Sequence, residues 1–150
     1  MPFDVERLLR LWTDALPEDD DAAAAAFREL YTDPVTVNGT PLAVADLVVR
    51  ARAVQSTFHP LEREVVSVVD GGDRVAVAFR MGGPQVGTWT TSAGPVPPTG
   101  RGVVLRVVDV LTLAGDGRIA DIVMVADELG ALLAVDAVRL RTPAAAVAGG

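Results

Sequence analysis

Apolar residues recur along this chain with two different periods, and the change of period divides it into two parts. Val5, Leu8, Leu9, Trp12 and Leu16 fall on one helical face, which predicts a helix over 3–16 stopped by Pro17. Asp19-Asp20-Asp21 offers an N-cap and favourable charge to a second helix running through Tyr31, with Ala23, Ala26, Phe27 and Leu30 on one side. Asp33-Pro34 breaks that helix, Val35-Thr36-Val37 makes a short strand, and Asn38-Gly39 turns the chain. Val44, Leu47, Val48, Ala51 and Val54 mark a third helix over 43–57, ended by Phe58-His59-Pro60.

From residue 62 onward the pattern is that of strands. They are expected at 62–70, 73–82, about 86–92, 101–114 and 117–127, with hairpin signals at Gly71-Gly72 and Gly115-Asp116-Gly117. Gly82-Gly83-Pro84 and Ala93–Thr99 read as loops, 128–138 as a short closing helix, and 142–150 as a disordered tail. Helices first, then an antiparallel meander with a closing helix, make an α+β pattern. The expected architecture is a cone-shaped barrel: a strongly curved antiparallel sheet packed against N-terminal helices, in one domain over 1–141. The mouth of such a cone is a natural small-molecule site.

Two carboxylates in the apolar stretch 97–133 carry the candidate chemistry. Asp127 stands where a strong strand runs into a helix. It reads either as the N-cap of that helix or as a cavity acid/base whose pKa burial would raise. Asp109 interrupts Val103–Val108 and Val110-Leu111 and shares a face with Leu105, Val107 and Leu111. If that face lines the cavity, Asp109 is a second acid/base group. If it faces solvent or a partner, it is a charge on an apolar strand. Arg106 has the opposite parity, so it is no same-face partner for Asp109.

Composition narrows the chemistry. The chain has 150 residues, half of them apolar, and a net charge of -7 without any basic tract, which argues against nucleic acid and anionic membranes. It has no Cys, its 13 basic residues are all Arg, and His59 is its one His. Thiol nucleophiles, Schiff bases and His or Cys metal clusters are therefore excluded, and no metal or other cofactor is expected. Acid/base work must come from carboxylates, Tyr31 or His59. No run reaches membrane-spanning length, and the acidic, amphipathic MPFDVERLL start is unlike a secretory signal, so a cytoplasmic protein is expected.

Four segments then suggest a family. Leu30–Val35 (LYTDPV), Asp70–Val77 (DGGDRVAV), Pro97–Arg101 (PPTGR), and Asp116–Asp121 (DGRIAD) followed by Asp127–Gly130 (DELG) occur in order over roughly residues 5–138. This succession resembles the SnoaL-like ester cyclases of the nuclear-transport-factor-2-like superfamily. The resemblance implies a cavity for a small, mostly apolar, polyketide-like molecule. It also implies metal-free aldol cyclisation, with the Asp matching Asp127 as general acid/base, while related members include isomerases and dehydratases. Trp12 and Tyr31 are expected to pack between the first helices and the sheet, or, as aromatics often do in such a fold, to border the cavity. Phe79 and Trp89 are expected as cavity wall or dimer contact, and Met124 as core or ligand contact. His59 is expected as a helix-end residue or a ligand contact.

The chain departs from the family's pattern at Gln85, where a His is common, at Val123, where a Trp is usual, and at Ala134-Val135-Asp136, in place of Gln-Leu-Gly. Met124 also stands where the epoxide-hydrolase branch has an Asp. Three readings stay open: an acid/base enzyme of secondary metabolism, a non-catalytic binding or accessory protein on the same fold, and a purely structural dimer module whose cavity is filled by side chains. A homodimer is expected because the convex face of a Val-rich sheet needs covering.

Overall fold

The computed structural model describes residues 2–142, so the tail expected over 142–150 lies, except for Thr142, outside the described residues. The chain forms α1 (Val5–Thr13), α2 (Asp20–Arg28), β1 (Tyr31–Val37), β2 (Thr40–Leu42), α3 (Val44–Thr57), β3 (Glu62–Asp70), β4 (Arg74–Pro84), β5 (Trp89–Thr91), β6 (Gly94–Val96), β7 (Gly102–Leu113), β8 (Ile119–Ala126) and α4 (Glu128–Ala134).

Caps set the starts of three helices. The Asp4 carboxylate accepts from Arg7 N at 2.9 Å, that of Asp19 from Ala22 N at 3.1 Å, and that of Asp127 from Gly130 N at 2.9 Å. The expected second helix overran, because α2 ends at Arg28 and Tyr31 opens a strand. The cause is long-range: Ile119 N donates to Leu30 O at 2.7 Å, drawing this segment onto β8 as a parallel neighbour. Tertiary pairing outweighs local helical preference there.

Six strands form one sheet in the order β2-β1-β8-β7-β4-β3, antiparallel except for β1 with β8. With β2 and β3 at its edges the curved sheet is cone-like but does not close into a barrel. Two expected loops hold strand structure: β4 runs through Gly82-Gly83-Pro84 to pair with β7, and 89–96 folds into the β5–β6 hairpin. The turn at 115–117 forms as expected, with Gly117 at φ +85° and Asp116 Oδ1 accepting from Arg118 N at 3.0 Å.

Alternation divides the sheet into two faces. On the inner face Val75, Val77, Phe79, Val107, Leu111 and Ile122 pack against Leu8, Leu9, Phe27, Val44, Leu47 and Val48 of α1–α3. A second cluster joins Phe58, Trp89 and Val103 to Ala131, Leu132 and Val135 of the α4 segment, closing one end of the cone. On the outer face Val104, Val108, Val110, Val123 and Val125 remain exposed.

Candidate interior site around Asp109

Register places Asp109 on the inner face. It pairs with Val77 of β4, which is 0% exposed, and with Met124 of β8, which is 41% exposed. Its Oδ1 is buried and meets no hydrogen-bond donor among the described residues. Burial pushes the Asp109 carboxyl up to about 6. A buried carboxylate oxygen without a donor is costly, so this position is not explained by packing alone.

Tyr31 belongs to the same interior. It is 2% exposed and stacks on Phe27 with ring centroids 5.8 Å apart, while Phe27 meets Trp12 edge-on at 5.6 Å. The Trp12 indole Nε1–H donates to the Tyr31 hydroxyl oxygen at 2.8 Å. Burial first, and the charge of Asp109 second, push the phenol above its ordinary range, opposed by the Trp12 hydrogen bond. Trp12 is itself held from α3, since Gln55 Nε2 donates to Trp12 O at 2.7 Å and to Asp14 O at 2.9 Å. Phe79 lies on the inner face of β4 and is buried. Across β8, Asn38 brackets Met124: its Oδ1 accepts from Met124 N at 2.8 Å and its Nδ2 donates to Met124 O at 3.2 Å. The sequence marked Asn38 only as a turn residue; its side chain in fact extends the β1–β8 pairing past the end of β1.

Asp127 is not brought to Asp109. It is exposed, its backbone N–H donates to Arg106 O at 2.9 Å, and its Oδ1 is spent on the α4 cap. It borders two outer-face clefts. One, of about 640 Å³, is walled by Val66, Val108 and Val125; the other, of about 1080 Å³, runs past Val104 to Gly130 and Ala134, and both touch Arg80 and Arg106. His59 is also outside the interior: it is exposed, and its N–H donates to Pro84 O at 3.1 Å. Trp89 is buried in the second cluster, edge-on to Phe58 at 5.8 Å. The structure thus gathers Trp12, Tyr31, Phe79, Asp109 and Met124 on the inner side, and leaves Asp127, His59 and Trp89 elsewhere.

Gln85 has a role that its place among the family departures did not reveal. Its side chain is fully buried, Oε1 accepts from Thr99 Oγ1 at 2.8 Å, and Nε2 donates to Val96 O at 3.0 Å and Pro97 O at 3.1 Å. Its backbone bonds Arg101 O and Gly100 N, each at 2.9 Å. The Pro97–Arg101 segment is therefore folded around one buried amide.

With this geometry in view, comparison with known proteins identifies the class. The SnoaL-like domain profile matches residues 4–122, and the chain belongs to that family, within the nuclear-transport-factor-2-like superfamily. A solved structure named a SnoaL-like polyketide cyclase from Jannaschia sp. CCS1 is 26% identical, with a TM-score of 0.66 over 90% of this chain and 92% of that one. TsrD from Streptomyces laurentii is 18% identical, with a TM-score of 0.68 over 91% and 99% of the two chains. A SnoaL-like polyketide cyclase from Agrobacterium tumefaciens is 16% identical, with a TM-score of 0.66 over 87% and 91%. The last two likenesses concern the fold. No curated protein matches the chain. Among the described residues no helix is long and apolar enough to cross a membrane.

Proposed function

We propose that this protein is a small-molecule acid/base enzyme of the cyclase or isomerase type, working without a metal and with Asp109 as its proton-transfer group. The observation that carries this reading is the buried, donor-free Oδ1 of Asp109 on the inner face. A carboxyl raised to about 6 is poised to exchange protons near neutral pH. As a carboxylate, Asp109 takes a proton from the carbon beside a substrate carbonyl. The resulting enolate carbon attacks a second carbonyl of the same molecule, forming a C–C bond, and the alkoxide so formed takes the proton back from Asp109. In an isomerisation the proton returns to a different carbon. The apolar walls of Trp12, Phe79 and Met124 hold the substrate near its reactive shape. A polyketide-like substrate is consistent with the names borne by several structural neighbours.

The test is hydrogen–deuterium exchange at the α-carbon of 1-tetralone in D2O, followed by proton NMR. Wild type accelerates the exchange, Asp109→Asn loses on the order of 10²-fold or more, and Asp127→Asn, which can still cap α4, retains it. The opposite ranking of the two variants would assign the proton to Asp127.

A second reading, a non-catalytic ligand carrier on the same fold, is favoured by one fact: Asp127 is spent on a helix cap. Unchanged exchange in wild type, with ligand still bound, would support it. Under either reading we infer a homodimer in which a second copy covers Val108, Val110, Val123 and Val125, because this contiguous apolar face is costly to leave in water.

A further inference from the structure

The strand registers lay out the outer face of the sheet in rows. One row runs Ser67, Ala78, Val108, Val125 across β3, β4, β7 and β8, and the next runs Val69, Ala76, Val110, Val123. Beside them, on the side nearer α4, the row is charged: Glu64, Arg80, Arg106 and then Asp127, whose N–H bonds Arg106 O. Arg80 has a partner in Glu64 at 3.4 Å. Among the described residues neither Arg106 nor Asp127 enters an ion pair, although they are neighbours across β7 and β8. Asp127 gives its Oδ1 to the α4 cap and keeps Oδ2 open. Arg106 stands directly opposite a like charge, Arg80, which is unfavourable until an anion joins them.

These charges select how a second copy can lie on the apolar rows. A face-to-face pair of copies has its two-fold axis in the plane between the sheets. An axis across the strands, between the two apolar rows, sets Arg80 over the partner's Arg74 and Asp127 over the partner's Asp121. An axis along the strands between β4 and β7 sets Arg80 over the partner's Arg106 and Glu64 over the partner's Asp127. An axis along β4, β7 or β8 itself sets Arg80, Arg106 or Asp127 over its own copy. Each of these stacks like charges, which is costly at an interface. An axis between β3 and β4 avoids that but leaves Val108, Val110, Val123 and Val125 in water. With the axis between β7 and β8, Arg106 meets the partner's Asp127, Val108 meets the partner's Val125, and Val110 meets the partner's Val123. Packed sheets keep their strands within about 30° of each other, so this correspondence holds best beside the axis, where these residues lie. We propose that a second copy docks in this register, with two reciprocal Arg106–Asp127 ion pairs between the subunits bordering an apolar centre. This rests on the homodimer inferred above and adds its geometry and its specificity contacts.

The experiment is sedimentation velocity on Arg106→Glu, on Asp127→Arg and on an equimolar mixture of the two. In either variant by itself both reciprocal contacts carry like charges, and the dimer dissociation constant should rise on the order of 10²-fold or more. In the mixture every contact between unlike chains is again one acid over one base, so a heterodimer of near wild-type affinity is expected. Charges that interact only within one chain cannot be repaired by mixing. Asp127→Asn, which still caps α4, checks the same contact without risk to the fold. It should weaken the dimer about tenfold and remove most of the affinity that wild type loses as NaCl is raised. Single variants that dimerise like wild type, a mixture that stays monomeric, or an Asp127→Asn dimer with wild-type salt dependence would each overturn this register and leave the dimer itself standing. A monomeric wild type would overturn the dimer and the register together.

Discussion

Asp109 and Asp127 stand on opposite faces of the same sheet. Asp109 is paired with Met124 on the inner face, whereas Asp127 follows exposed Val125 off the end of β8 and caps α4 on the outside. The two carboxylates therefore cannot act on one substrate, and each has consequences that can be measured separately.

Asp109 makes stability depend on pH with an unusual sign. Burial raises its folded pKa to about 6, above the roughly 3.9 of an unfolded Asp. Between those values the folded state holds the extra proton, so stability is greater at low pH and falls as pH rises from about 4 to 6. The shift corresponds to about 2 to 3 kcal/mol in all. The carboxyls of Asp33, Asp70 and Asp116 are lowered by backbone hydrogen bonds and act oppositely, losing stability as the pH falls below their ordinary range. Urea unfolding of wild type against Asp109→Asn from pH 4 to 8 separates the terms. The difference between the two should grow with pH, in favour of the variant, and level off above about 7.

Asp127→Ala removes a helix cap and should cost about 1 kcal/mol in urea unfolding. Because Asp127 lies outside the interior, the titration of Asp109 should not move in this variant.

Gln85→Ala should be the more damaging change, with a loss of about 2 to 4 kcal/mol. It removes a fully buried amide and leaves the Thr99 hydroxyl and the carbonyls of Val96 and Pro97, part-buried around it, without their partner. Limited proteolysis should then cut within 97–101 sooner than in wild type.

Val108→Glu or Val125→Glu puts a charge at the centre of the outer apolar face, where these residues are 47% and 67% exposed. Sedimentation velocity should show a dimer for wild type and a monomer of normal thermal stability for either variant. A wild-type monomer at micromolar concentration would remove the dimer from the proposal.

Much of this was legible in the sequence where the physics is local. The two long strands, the 115–117 turn and the caps by Asp19 and Asp127 follow from alternation and residue chemistry, and strict alternation put Asp109 with Leu105, Val107 and Leu111. The parts that escaped depend on distant pairing. Tyr31 reads as helical until β8 is there to recruit it as a strand residue. The face taken by Asp127 depends on the β7–β8 register, which shifts between Thr112 and Leu113. Gln85 looked like a lost His because nothing local tells that the Pro97–Arg101 segment folds around its amide. Asn38 announced a turn through its Gly39 neighbour, but not its grip on Met124.

The interior site is tested most directly by a ¹³C NMR titration of the Asp109 side-chain carboxyl, assigned by its loss in Asp109→Asn. A midpoint near 6, as burial without a donor demands, is the predicted result. A midpoint near 4, the value of a solvated Asp, would contradict it and leave the interior without its acid/base group.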